Sequence, residues 1–226
     1  MNNIERTLTP RLKMIISLIP RCESLCDIGT DHAFVPIYLA LNNIAQKIIA
    51  ADVKKGPLLQ AEKNIMRYNL SERIITRLSD GFSNFEFGEV ETAVAAGMGG
   101  ETIAHILNSD KGIKTFILQP QSMFAYLRTF LFENGNKIDS VQICEEGKKM
   151  YVAMAVSRGR MDKMSRAELE IGPCLIKERP PLFEKYVLYR LHEINCALHK
   201  MKGSCSSPKA EEYMYLKNEY ERLCRL

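Results

Sequence analysis

The sequence predicts a mainly parallel α/β sheet with a helical hairpin at its C-terminal end. Three observations carry this. Short apolar runs end repeatedly in Gly or Asp: Ser24–Asp27, Lys47–Asp52, Ile74–Leu78 before Asp80-Gly81, and Thr92–Ala96 before Gly97. Segments with helical apolar spacing separate those runs, the pattern of parallel strands joined by crossover helices. Beyond residue 160 the strand pattern stops, and apolar residues recur in steps of three and four.

Thr9-Pro10 supplies an N-cap and a first-turn proline. Leu12, Ile15, Ile16 and Ile19 follow at helical spacing until Pro20. Ser24–Asp27 is the first strand. Residues 34–45 form a helix whose Pro36 lies in the first turn, where the missing N–H matters least. Lys47–Asp52 is the second strand. Gly56-Pro57 opens a helix expected to turn Leu58, Leu59, Ala61, Ile65 and Met66 to the core. Ile74–Leu78 and Thr92–Ala96 are strands three and four. Thr115–Leu118 is the fifth and ends at Gln119-Pro120, with a helix following from Phe124 to Glu133.

Ile138–Ile143 and Tyr151–Val156 close the sheet. No helix separates them, so one must run antiparallel. Five strand–helix units and a terminal β-pair describe the class I methyltransferase form of a Rossmann-like sheet, spanning residues 1–160. Residues 161–226 read as a second unit. Ser165-Arg166-Ala167-Glu168 has the form of a capping box. Phe183, Val187, Leu191, Ile194, Leu198 and Met201 make one apolar stripe. Gly203–Pro208 breaks the helix, and Tyr213, Leu216, Tyr220 and Leu223 resume the stripe. Two such helices form a coiled-coil hairpin.

The chain has 226 residues, enough for one domain and an appendage. No run approaches the roughly 18 apolar residues of a membrane span. Met1–Arg6 lacks a signal-peptide core, so the expected location is cytoplasmic, with no membrane partner. Seven cysteines show no paired spacing, whereas zinc ligands usually come as two close pairs, so no metal is expected. Net charge is +4, and residues 160–226 (13 basic, 10 acidic) hold three of those charges. That bias permits a polyanionic partner without requiring one.

The chemistry concentrates at strand ends, where open α/β sheets bind ligands. Asp27-Ile28-Gly29-Thr30-Asp31-His32 packs two carboxylates and an imidazole around a glycine that lets backbone approach a ligand. Asp52, 23 positions after Gly29, sits where an acid grips ribose hydroxyls. Asp80, with Gly81, would lie beside an adenine ring and accept its amine. Ala95-Ala96-Gly97-Met98-Gly99-Gly100 is the second glycine loop. The first loop is not G-x-G-x-x-G, and pyrophosphate would be repelled by two neighbouring carboxylates. A sulfonium cofactor with a free α-amino group would favour them. The sequence therefore leans to S-adenosylmethionine.

DIGTDHAFVPIYL at 27–39, AAGMGGETI at 95–103, FILQP at 116–120 and IGPCLIKE at 171–178 resemble the bacterial tRNA (adenine-N1)-methyltransferases that modify adenine 22. The resemblance covers nearly the whole chain and is carried above all by the pairing of the first two motifs. It implies S-adenosylmethionine as donor, tRNA as substrate and a C-terminal coiled-coil hairpin. It suggests Asp27, Gly29 and His32 lining the cofactor pocket, Asp52 on the ribose, Asp80 and Gly81 at the adenine end, and Ala96, Gly97 and Met98 on the methionine side. Asp31, with His32 beside it, matches the catalytic position. Gln119, Pro120, Arg11 and Lys177 are expected on the substrate side. The chain departs from the pattern at Thr30, where Ser is common, at Asp52, where Glu is frequent, and at Gln121, where Asn is usual.

In this reading adenine N1 attacks the sulfonium methyl in line, and Asp31 stabilises the charge that develops on the base. His32 either transfers a proton or holds the loop. The base must leave its stack to expose N1. Arg6, Arg11, Lys13, Lys177, Arg190, Lys200 and Lys202 are candidate contacts to the RNA backbone. Competing readings are a class I methyltransferase acting on another RNA or a small molecule, a non-catalytic RNA-binding module, and a nicotinamide-dependent oxidoreductase disfavoured by the missing glycines. The hairpin stripe suits a monomer or a weak dimer.

Overall fold

Thr9 accepts the N–H of Leu12 and starts a helix at Pro10, as the Thr-Pro pair predicts. From there the computed structural model, which describes residues 4–201 and 207–225, alternates strands and helices. The elements are α1 (Ile4–Thr7), α2 (Pro10–Ser17), β1 (Cys22–Ile28), α3 (Phe34–Leu41), β2 (Ala45–Asp52), α4 (Lys55–Arg67) and β3 (Ile74–Leu78). Then come β4 (Thr92–Gly99), α5 (Gly100–Asn108), β5 (Thr115–Ser122), α6 (Phe124–Glu133), β6 (Asn136–Glu146) and β7 (Lys149–Arg158). Four helices complete the described residues: α7 (Arg166–Ile171), α8 (Pro173–Glu178), α9 (Phe183–Lys200) and α10 (Pro208–Arg225). Lys202 and most of the Gly203–Pro208 break lie outside the described residues.

The seven strands are ordered β3-β2-β1-β4-β5-β7-β6. β1 to β5 are parallel, and β7 runs antiparallel to both β5 and β6. This is the class I methyltransferase sheet. The order reverses beside β1, and β1 and β4 there point their C-terminal ends into the crevice between their following helices.

Strand side chains alternate between two cores. Cys26, Ile28, Ala93, Ala95, Phe116 and Leu118 face one, which α5, α6, α9 and α10 cover. Leu25, Ile48, Ala50, Val94 and Ile117 face the other, under α1 to α4. Period-two alternation with apolar residues on both sides is what a doubly covered sheet requires. On α4 the register differs from expectation. Leu58, Ala61 and Ile65 are buried, but Leu59 and Met66 are exposed. Three residues at helical spacing saturate that face, and Leu59 and Met66 fall outside it.

The Ser165 capping box forms, with Glu168 returning a bond to the Ser165 N–H. α9 and α10 pack together, and Phe183, Val187, Ile194, Leu216 and Tyr220 are buried in the same core as Phe116 and Leu118. Buried Arg128 ties the C-terminal region down. Its guanidinium donates to the carbonyls of Leu169, Glu170 and Ile171, the end of α7.

Candidate active site

β1 ends in Asp27 and Ile28, and the chain then turns at Gly29, whose φ of +79° puts it in the left-handed region. The methyl of Met98, on β4, packs where a Gly29 side chain would stand. The two glycine motifs therefore touch, as the paired motifs predict. Asp27 is 9 % exposed. Burial pushes its carboxyl up to about 7, Thr30's hydroxyl opposes that, and Asp52 adds to it. The Thr30 hydroxyl is buried and has no well-aligned hydrogen-bond partner among the described residues.

Asp31 and His32 are exposed at the lip of this turn. Their side chains lie 3.3 Å apart. The His32 ring stacks on Phe34, with centroids 5.1 Å apart and planes within 11°. Asn64 of α4 donates to the His32 carbonyl at 2.9 Å. Ala33 follows in the left-handed region and starts α3.

Asp52 ends β2 half-buried, one oxygen accepting the Lys54 N–H at 2.7 Å and the other left for a ligand. Asp80 is exposed and Gly81 is buried against Ile106 with φ +51°. The loop is held by the Ser79 hydroxyl, which donates to the Gly81 carbonyl at 2.8 Å.

The sequence reads a strand to Ala96 followed by a glycine loop to Gly100. The strand continues instead: β4 stays paired to β5 through Gly99 with register shifts around Met98, and Gly100 opens α5. A bulge of this kind re-aims side chains while keeping the strand anchored. Gly97 (φ +81°) is the exposed point of that bulge. Its N–H donates to Gln119 Oε1 at 3.2 Å, and Arg11 donates to the same oxygen at 3.2 Å. The Gln119 amide donates to the Pro120 carbonyl.

Gln119 and Pro120, expected to touch substrate, are buried. Both are still sheet residues, and the Gln119 amide is committed to bracing Gly97 and Arg11. Gln121, next along, is the exposed one. Arg11 is also fixed from behind. Its guanidinium lies over the Tyr151 ring, and its N–H donates to Glu146 at 3.0 Å. Burial raises the Glu146 carboxyl, but Thr9 and Arg11 together hold it below the ordinary value.

One basic residue falls away from the expected RNA contacts. Arg190 has a side chain only 12 % exposed, paired with Glu170 at 2.9 Å and Glu193 at 3.1 Å. It is a tie between α7 and α9, drawn in by carboxylates that its own stripe did not reveal. Lys177 is exposed on the last turn of α8. Arg6, Lys13 and Lys200 are exposed.

Sequence reasoning missed Thr30 as a buried hydroxyl acting on Asp27, Glu146 as the brace behind Arg11, and the rings of Tyr151 and Tyr189. Glu146 stood in a turn like any other. Tyr151 looked like an ordinary strand residue, and Tyr189, two positions after Val187 and off the stripe, carried no signal of its own.

Gly29→Ala tests the contact between the motifs. An L side chain at that φ costs about 1–2 kcal/mol and must displace the Met98 methyl. Calorimetry with S-adenosylmethionine should show binding weakened at least about tenfold. Wild-type affinity would remove Gly29 from the pocket.

Residues 25–224 match the model of the family described as tRNA (adenine(22)-N(1))-methyltransferase. The Bacillus subtilis (strain 168) protein named tRNA (adenine(22)-N(1))-methyltransferase is 33 % identical over 190 residues, which cover 80 % of each chain. Streptococcus pneumoniae Sp1610, solved in complex with S-adenosyl-L-methionine, superposes with a TM-score of 0.85 at 30 % identity, covering 96 % of this chain and 99 % of that one. Mycoplasma capricolum TrmK, solved with S-adenosyl-homocysteine, superposes with a TM-score of 0.83 at 26 % identity, covering 96 % and 98 %.

Proposed function

The chain belongs to the tRNA (adenine(22)-N(1))-methyltransferase family, and from that we infer how its residues carry methyl transfer from S-adenosylmethionine to N1 of adenine 22. The observation that carries this reading is the family match over residues 25–224, which contains every strand end described above.

The pocket fits the cofactor. Asp27 is a buried acid whose carboxyl burial pushes up to about 7, and a bound α-amino group would favour its ionised form. Thr30 offers a buried hydroxyl with a free bonding capacity. Gly29, Ala96, Gly97 and Met98 border the amino-acid end, Asp52 has an oxygen for ribose, and Asp80 with Gly81 stands at the adenine end. When bound, S-adenosylmethionine supplies the electrophilic methyl carbon.

Neutral adenine already carries a lone pair at N1, so the protein's tasks are placement and electrostatics. Asp31 faces the charge that builds on the base. His32, stacked on Phe34 and anchored through its carbonyl, holds Asp31 in place. Gln119 fixes Arg11 and Gly97 beneath the base, and Gln121 presents the amide that meets it. Residues 1–160 form the catalytic unit, and residues 161–226, with the α9–α10 hairpin, help seat tRNA.

The buried stripe of α9 and α10 is spent within the chain, which supports a monomer or a weak dimer. Among the described residues no helix is long and apolar enough to cross a membrane. We place the reaction with its tRNA substrate in the cytoplasm.

The test is to incubate the protein with labelled S-adenosylmethionine and unmodified tRNA, digest the RNA and separate the nucleosides. Label in 1-methyladenosine is expected; label in any other nucleoside would point to another methyl acceptor. Exposed Arg6, Lys13, Lys177 and Lys200 bear on tRNA affinity through counterion release. With about three phosphate contacts, affinity should fall by a few tenfold or more between 50 and 200 mM salt. Filter binding would show it, and salt-independent binding would discard these contacts.

A further inference from the structure

Beyond Pro120 the strand ends open into a cleft of about 450 Å3 between the β5–α6 connection, the start of β7 and the inner face of the α9–α10 hairpin. Gln121 stands at its inner end and close to Gly97. None of the residues assigned to the cofactor line it. A reacting N1 must come within about 3–3.5 Å of the methyl carbon. In the methyltransferase reading the target adenine meets Gly97 and Gln121, and the cleft continues past that point.

The walls hold five rings: Phe124, Tyr151, Tyr186, Tyr189 and Tyr213. Tyr186 is buried, 1 % exposed, and its hydroxyl accepts from Arg190, so its faces are closed to a ligand. Three already carry a cation on the face. Arg190 lies over Phe124 at 4.6 Å, Arg11 over Tyr151 at 5.5 Å and Lys209 over Tyr213 at 6.0 Å. Tyr189, half-buried, has no such partner among the described residues. The one guanidinium in the cleft, Arg190, is committed to Glu170 and Glu193. Among the described residues the interior thus offers no free cation to a phosphate. Lys149, exposed on the lining, does. An unpaired ring face with carboxylates beside it suits a nucleobase, which stacks and donates from its amino groups.

We propose that this cleft receives the nucleobase adjacent to the target adenine, stacked on Tyr189, with its phosphate toward Lys149. The proposal rests on the methyltransferase reading above. It makes the hairpin a reader of an unstacked neighbour, which holds the RNA open while N1 reacts. Tyr189 is then a substrate-binding residue.

The test pairs tRNA transcripts carrying a single abasic site at position 21 or 23 with wild-type protein and with Tyr189→Leu. For wild type, kcat/KM should fall roughly tenfold with one of the two abasic sites, the loss expected for one stacked base. Tyr189→Leu should lose a similar factor on intact tRNA and nothing further on that abasic tRNA, with S-adenosylmethionine affinity unchanged. Tyr189→Phe should restore the wild-type rate. No loss for wild type at either position overturns the proposal, and this arm does not depend on the variant folding. Losses from Tyr189→Leu that multiply with both abasic sites overturn it too. Failure of the methyltransferase reading itself looks different: wild type would then leave adenine 22 of intact tRNA unmethylated.

Discussion

Asp31→Asn is expected to lower kcat for adenine methylation about a hundredfold, the scale of removing one preorganised electrostatic partner of a transition state. Affinity for S-adenosylmethionine should be unchanged. As the methyl arrives, positive charge spreads over N1, C6 and the exocyclic nitrogen of the base. A carboxylate facing that edge lowers the energy of the charged state more than that of the neutral base. Asp31 is 72 % exposed at its side chain, so its field is now screened by water. Docking of the base excludes that water and strengthens the interaction.

Asparagine keeps the size and loses the charge, which isolates the electrostatic part. His32→Ala should cost less, lowering kcat and raising KM together, since its ring positions Asp31 and packs on Phe34. A single-turnover rate for Asp31→Asn equal to wild type would mean that placement alone carries the reaction.

Asp27→Asn should weaken S-adenosylmethionine binding about a hundredfold or more, because a buried cationic amine would be left without its partner. The wild-type protein should also show a pH signature. Burial holds the Asp27 carboxyl at about 7, chiefly through desolvation, whereas in an unfolded chain it lies near 4. A cationic amine selects the ionised form. Wild-type affinity should therefore be about tenfold weaker at pH 6 than at pH 8, the ratio set by a group titrating near 7. Asp27→Asn should bind weakly at both pH values with no such slope.

The sign for stability of the free protein is opposite. A carboxyl raised on folding stabilises the fold fully below its unfolded value, and that contribution is lost as pH rises from about 4 through about 7. Melting of the free protein across that window should show a decline attributable to Asp27, absent in the asparagine variant. Affinity that does not change between pH 6 and pH 8 would contradict a buried acid meeting a cation.

The strand ends were legible because their chemistry is local. Asp27, Gly29, Asp52 and Gly97 each follow an apolar run, and the period-two pattern places such residues at sheet ends whatever the packing around them. That one strand of the closing pair runs antiparallel was legible from the missing crossover helix between Ile143 and Tyr151; that it is β7 comes from its pairing with β5. What escaped reading depends on contacts distant in sequence. Gln119 looked like a ligand-facing amide, but β4 stays paired to β5 through a bulge and draws it beneath the site. Arg190 looked like a surface cation, yet Glu170 lies 20 residues away and across from it. Leu59 and Met66 counted as apolar, but the face of α4 was already filled. Helical spacing put Tyr220 on the packing stripe, where it is buried, but could not show that Tyr189, off the stripe and half-buried, lines a cleft.

The central claim is methyl transfer to N1 of adenine 22, and it is tested most directly with two unmodified transcripts of one tRNA, one with adenine at position 22 and one with guanine. Each is incubated with the protein and labelled S-adenosylmethionine, and methylation is located by primer extension, which stops at a base methylated on its pairing edge. A stop and incorporated label at position 22 of the adenine transcript, with neither in the guanine transcript, is the predicted result. Equal label in both transcripts, or a stop at another position, would contradict it.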